Sequence, residues 1–165
     1  MDLCIERMID KPFPLLEESL LGGPESWLPG PDEDGAPTAE LDVRLGGSRV
    51  ARRVVVRAGA VTCWPGRDRC RLPVAWRAAE HPERYPSLVG TLELTGVAPR
   101  RTRLTLRAMY RPPAGPLGEA ADRAVMHTIA EGSVRAFVER IAAVLERDAM
   151  SRGLAEAEPF PHGGE

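Results

Sequence analysis

A few side chains in this sequence could carry chemistry by type and spacing. His127 and Glu131 stand four residues apart, and Arg123 lies one turn before the histidine. A carboxylate at that spacing on a helix can hold an imidazole for proton transfer, although the same spacing also describes an ordinary exposed i,i+4 pair. Arg52 shares one face of an alternating segment with Val50, Val54 and Val56. Turned inward, its guanidinium needs a carboxylate that a ligand could bring; turned to solvent, it buries only its stem. Trp76 and Tyr110 each offer an apolar body with one polar donor, a combination found both in cores and in the walls of ligand pockets. The catalytic candidates are therefore His127, Arg123 and Tyr110.

Other chemistries find no support. Ser133 has no base within helical reach, and there is no GxSxG or Cys-His arrangement. Leu21-Gly22-Gly23-Pro24 lacks the spacing and the lysine of a phosphate-binding loop. No CxxC or paired-histidine spacing predicts a metal, and no cofactor is expected. No apolar run approaches the roughly 18 residues of a membrane span. The N-terminal segment MDLCIERMIDKPF has no features of a secretion signal, so a cytoplasmic location is expected. Cys63 and Cys70 flank the turn in CWPGRDRC and could face each other across a hairpin; given that compartment, two reduced thiols are expected rather than a bridge.

The chain has 165 residues, 43% of them hydrophobic and 28% charged, with a net charge of −2. This is enough for one domain with a real core. Charge is unevenly spread: residues 1–43 hold eleven acids against Arg7 and Lys11, residues 44–111 fifteen arginines against four acids, and residues 112–165 nine acids against five arginines. A basic sheet attracting acidic helices within one fold accounts for this pattern. With only 5% aromatic residues to stack on bases, no nucleic-acid partner is expected.

The elements that must position these groups follow from periodicity. Leu3 to Ile9 suits a strand ended by Lys11-Pro12-Phe13-Pro14, a short helix covers roughly 15–21, and a further turn is expected near Trp27 before an acidic, proline-rich loop. Alternation then predicts strands over 41–45, 49–58, 72–78, 88–95 and 104–110. Their apolar faces carry Leu72, Val74, Trp76 and Ala78; Leu88, Gly90, Leu92 and Leu94; and Leu104, Leu106, Ala108 and Tyr110. Such a sheet needs one cover, and a long helix from near Pro116 to Met150, with Gly153 just past its end, is the only element large enough. One stripe on it holds Met126, Ala130, Val134, Phe137, Val138, Ile141 and Leu145; Arg123 and His127 continue that stripe toward the helix start. A second stripe, Leu117 through Gly132 to Ala136, lies nearly opposite. Residues 1–150 form the expected domain and 151–165 a flexible tail.

This β-α-α-β-β-β-β-β-α order, with Trp27-Leu28-Pro29-Gly30 after the first helices and Tyr110-Arg111-Pro112-Pro113 and Gly115-Pro116-Leu117-Gly118 leading into the last, resembles the helix-grip superfamily known as START-like or SRPBCC, which includes polyketide cyclases and lipid-transfer domains. The resemblance implies an α+β fold: a curved antiparallel sheet of about six strands wrapped around a long C-terminal helix, with two short helices after the first strand. It further implies a cavity between sheet and helix for an apolar or amphipathic ligand, and brings no shared catalytic residues. On that reading Ala130 and Ser133, opposite Gly90 and Ala108, leave room for a ligand, or else simply allow tight packing. The expected lining is Arg52, Trp76, Gly90, Leu92, Leu106, Ala108, Tyr110, His127, Ala130 and Val134.

Three functions are carried forward: a non-catalytic carrier or sensor of a small apolar molecule, a cyclase- or dehydratase-like enzyme, and a homodimeric interaction module pairing through the second stripe.

Overall fold

The computed structural model describes residues 2–23, 38–45, 48–82, 85–111 and 123–156, with residues 40–45, 48–52, 123–126, 129 and 153–156 described as backbone. The element order is β1 (Asp2–Ile9), α1 (Phe13–Leu21), β2 (Thr38–Leu45), β3 (Ser48–Ala58), β4 (Thr62–Trp64), β5 (Arg69–Ala78), β6 (Ser87–Ala98), β7 (Arg101–Arg111) and α2 (Arg123–Glu156). The long strands form one antiparallel sheet in the order β1-β7-β6-β5-β3-β2, and the short β4 pairs with β5.

Alternation decides the faces. Along β5, Cys70, Leu72, Val74, Trp76 and Ala78 are buried while Arg71, Pro73 and Arg77 are exposed. Pro73 sits where β5 changes neighbour, between the residues paired with β4 and those paired with β3. Its carbonyl accepts from Gly59 N–H at 2.8 Å, so the side on which proline has no donor faces that junction and not the β6 ladder. On β6 and β7 the buried faces are Leu88, Leu92 and Leu94, and Leu104, Leu106, Ala108 and Tyr110.

The helix α2 lies on this concave side and touches β7 and both edge strands, β1 and β2, so the sheet curls around it. Its buried stripe runs from Ala130 through Val134, Phe137, Val138, Ile141, Ala142 and Leu145 to Ala149. The helix continues past Met150 and through Gly153 to Glu156. Gly153 therefore does not stop it: a glycine inside a helix costs only about 1 kcal/mol, too little by itself to end one. Arg152 of α2 reaches Glu18 of α1 at 3.3 Å. The turn expected near Trp27 and the segment from Pro112 to Asp122 lie outside the described residues.

The charge pattern resolves differently from expectation. Arg53, Arg57, Arg71, Arg77 and Arg107 are exposed on the convex side of the sheet, away from α2. Their strand positions alternate with the buried ones, so period 2 sends them outward whatever charge the helix carries. A tie between helix and sheet comes instead from the acidic flank's own cation: Arg7, on edge strand β1, holds Glu139 of α2 at 3.1 Å.

Candidate functional site

The concave face is graded from one end to the other. At the α1 end, Cys70, Leu94, Leu104, Leu16, Leu20 and Leu145 are wholly sealed. Two contacts hold α1 there. Thr102 Oγ1 donates to the carbonyl of Lys11 at 2.9 Å, fixing the chain just before the helix. Gly96 leaves the β-carbons of Asp68 and Phe13 space that a side chain of its own would fill, at 2.8 and 3.1 Å from an added Cβ.

At the other end, the register aligns Trp76, Leu88 and Tyr110 across β5, β6 and β7, with Val74, Gly90, Ala108 and Leu3 in the next row. Leu88 is sealed, but Trp76, Ala108, Tyr110 and Leu3 keep 5–7% exposure. Similar exposure remains on Ile5 (7%), beside Leu106, and on Phe13 (5%) of α1, so this row is less closed than the leucines at the α1 end but is not the only place with access. The wall is apolar and carries one deeply placed hydroxyl: burial pushes the Tyr110 phenol up to about 12, so it remains a neutral donor across the physiological range.

The expected open cavity is not what the described residues form at mid-face. Leu92, Leu106, Ala130, Val134 and Phe137 have no exposure, so none of them lines a void that water could enter. The Trp76 and Phe137 rings meet at 4.6 Å between centroids, tilted by 56°. Gly90 does not provide space either. A Cβ placed there would lie 2.5 Å from the Arg107 carbonyl oxygen and 2.8 Å from Ala108 Cβ, so the absent side chain is what allows β7 to press against β6 as the sheet curls. Small residues here serve close packing, the second of the two readings that the sequence left open.

Sheet and helix thus bring Trp76, Gly90, Leu92, Leu106, Ala108, Tyr110, Ala130 and Val134 to one concave face. His127 stands apart from them. It shares the helical angle of Val134, yet it is exposed, while Ala130 is the first buried position among the α2 side chains described. Glu131 pairs with Arg135 at 2.8 Å, so the carboxylate meant to hold the imidazole is engaged by a cation. Arg52 lies in register with Leu41, and Arg123 opens α2; their side chains are outside the described set. Gly132 is exposed with nothing within 4 Å of a notional Cβ, and Thr128 is exposed beside it, while Ala136 at the end of the second stripe is half-buried.

Two arrangements escaped the sequence. On the convex side, Trp64 is flanked by the guanidinium carbons of Arg69 and Arg71 at 5.7 and 5.3 Å, and both arginines converge on Glu93 Oε2 at 2.8 and 2.6 Å. This cluster edges an open hollow of about 470 Å³. Beneath it, Cys63 and Cys70 form a disulfide, contrary to the expectation of free thiols. That expectation rested on compartment; the β4–β5 ladder places the two residues directly opposite one another, with Cα atoms 4.1 Å apart. No sequence signal could have added the third member, Glu17 of α1, which is distant in the chain and meets them only through helix packing.

No family model and no curated protein sequence matches the chain. Among solved structures it is similar to a conserved protein from Geobacillus kaustophilus, with 13% identity over 89% of this chain and 96% of that one and a TM-score of 0.55. It is also similar to the Zhui aromatase/cyclase from Streptomyces sp. R1128, with 16% identity over 93% and 98% and a TM-score of 0.51. At such identities the likeness speaks for architecture alone, and with the curled sheet gripping α2 it shows that this chain has a helix-grip α+β fold.

Proposed function

We propose that the protein binds a small hydrophobic or amphipathic molecule at the Trp76–Tyr110 end of the concave face, acting as a carrier or sensor. The observation that carries this reading is the row of Trp76, Ala108, Tyr110 and Leu3, which keeps 5–7% exposure around one buried hydroxyl where Leu94, Leu104 and Leu145 keep none. An apolar wall that carries the Tyr110 hydroxyl and the Trp76 indole N–H suits a ligand that is mostly hydrocarbon with few acceptors. Binding then requires the contact between Trp76 and Phe137 to open, with the bound state selected from a minor population.

The test is displacement of a hydrophobic fluorophore together with native mass spectrometry. The wild-type chain is expected to bind the dye, and Ala108→Phe, which fills the less sealed end, to lose it while keeping its circular dichroism spectrum; Leu94→Met at the sealed end should bind as wild type does. Equal dye binding by Ala108→Phe, or none by the wild type, would reject this site.

The likeness to an aromatase/cyclase favours a second reading, an enzyme acting on a polyketide-like substrate with Tyr110 as the proton donor in the pocket. Under it, Tyr110→Phe abolishes turnover but leaves dye binding intact; under the carrier reading no turnover exists to lose. The Thr128–Gly132 surface of α2 supports no more than a homodimer contact, which sedimentation at high concentration tests.

A further inference from the structure

The β4–β5 hairpin sets Cys63 opposite Cys70, and α1 brings Glu17 to the same point. Glu17 Oε1 lies 3.4 Å from Cys70 Sγ. The two sulfurs and a carboxylate oxygen all lie within 4.8 Å of one another, with Cys70 buried and the other two residues half-buried. In the disulfide neither sulfur carries a proton, so a carboxylate partly removed from water faces a group that cannot donate to it. Reduction would turn that sulfur into a donor, or free it to share a cation with the carboxylate.

Distance favours a cation. On a tetrahedral zinc with Zn–S of about 2.3 Å and Zn–O of about 2.0 Å, a sulfur and an oxygen ligand stand ~3.5 Å apart. The 3.4 Å between Cys70 Sγ and Glu17 Oε1 already matches one edge of that tetrahedron. Once the S–S bond is cleaved, rotation of the side chains lets the two sulfurs separate to the spacing of a second edge.

We propose that the Cys63–Cys70 pair is a redox-gated metal site: reduction opens it, and the two thiolates with the Glu17 carboxylate bind a zinc-class divalent ion, leaving a fourth position for water or an outside ligand. The reductant is a dithiol. It gives two electrons and two protons to the S–S bond, which becomes two thiols as the reductant closes its own disulfide. The incoming ion takes both sulfurs as thiolates and displaces their two protons to solvent. Thiolate ligands select zinc over magnesium or calcium. Either state ties the hairpin at this end of the sheet, covalently when oxidised, and in the reduced state through an ion that also holds α1.

Full-length protein, reduced by a phosphine and freed of metal by chelation, is titrated with Co²⁺ and then Zn²⁺. The reduced chain is expected to take up one cobalt per chain, with a thiolate-to-cobalt charge-transfer band that zinc abolishes, and the oxidised chain none. Cys63→Ser should lower that band and weaken binding, Cys4→Ser should change neither, and Glu17→Gln should keep a two-thiolate band while weakening zinc binding by roughly tenfold or more. Circular dichroism confirms the fold of each variant. Absence of cobalt uptake by the reduced wild type, a bridge that resists reduction in the native chain, or undiminished binding by Cys63→Ser overturns the proposal. Zinc affinity unchanged in Glu17→Gln overturns the three-residue site.

Discussion

The two ends of one concave face are made from the same strands, yet they differ in how they are closed. At the Leu94–Leu104 end a second helix, a tight turn and a disulfide are layered over the sheet, and every inward leucine is sealed. At the Trp76–Tyr110 end the cover is α2 alone, whose Phe137 ring meets Trp76 in a tilted contact, and the walls keep some exposure. A surface closed by several independent layers opens only with global unfolding. One covered by a single layer can open locally, and such low-stability regions are where ligands enter.

The comparison is broken most directly by deleting leucines from each end. Leu104→Ala should cost about 2–5 kcal/mol, toward the upper part of that range, because α1 and α2 hold the cavity open around it. Leu3→Ala, on an edge strand where Leu3 retains 7% exposure, should cost less, as the site can relax or admit water. Equal losses of denaturation midpoint, at unchanged slope, would mean that the two ends are equally rigid. The glycines come next in size. Gly90→Ala drives a Cβ to 2.5 Å from the Arg107 carbonyl oxygen, which is backbone and cannot swing away, so it should destabilise by about 1–3 kcal/mol. By contrast Gly132→Ala meets nothing and removes a mid-helix glycine, so it should stabilise by up to about 1 kcal/mol in the same assay.

Much of this was legible in the sequence. Period-2 alternation alone put Leu72, Val74 and Trp76, and Leu104, Leu106 and Ala108, on the concave side, and the helical stripe from Ala130 to Leu145 is buried as its spacing predicts. Local signals of this kind report which face is apolar, but not how tightly two faces close. Gly90 and Ala130 were compatible with a void or with contact, and only the position of Ala108 Cβ distinguishes the two for Gly90. His127 shows the same limit, since its angle on the helix is readable while the extent of the sheet's cover is not. Glu17 and Cys70 are 53 residues apart, and their meeting depends on where α1 lands.

The smallest effects expected are those of pH, and here the two ends should respond in opposite directions. At the sealed end, the hydrogen bond from Ser19 holds the Asp148 carboxyl below its ordinary value; burial opposes this, and Arg152 adds to the lowering. Since the folded pKa is depressed, the stability it confers is present above the unfolded value near 3.8 and is lost as pH falls through the folded value. At the Trp76 end the sign is reversed. Burial raises Tyr110 from 10.0 to about 12, so its contribution is intact below pH 10 and erodes as pH rises from there through about 12, where the unfolded chain ionises first. Amide exchange measured as pH falls below about 3.8 should therefore quicken in α1 and the last turns of α2 before it quickens in β7. In alkaline titration, Asp148→Asn should leave the high-pH midpoint in place, whereas Tyr110→Phe should move it upward. A high-pH midpoint unmoved in Tyr110→Phe would mean that the phenol is solvated in the native chain, and the concave end would then lack a buried hydroxyl to meet a ligand's acceptor.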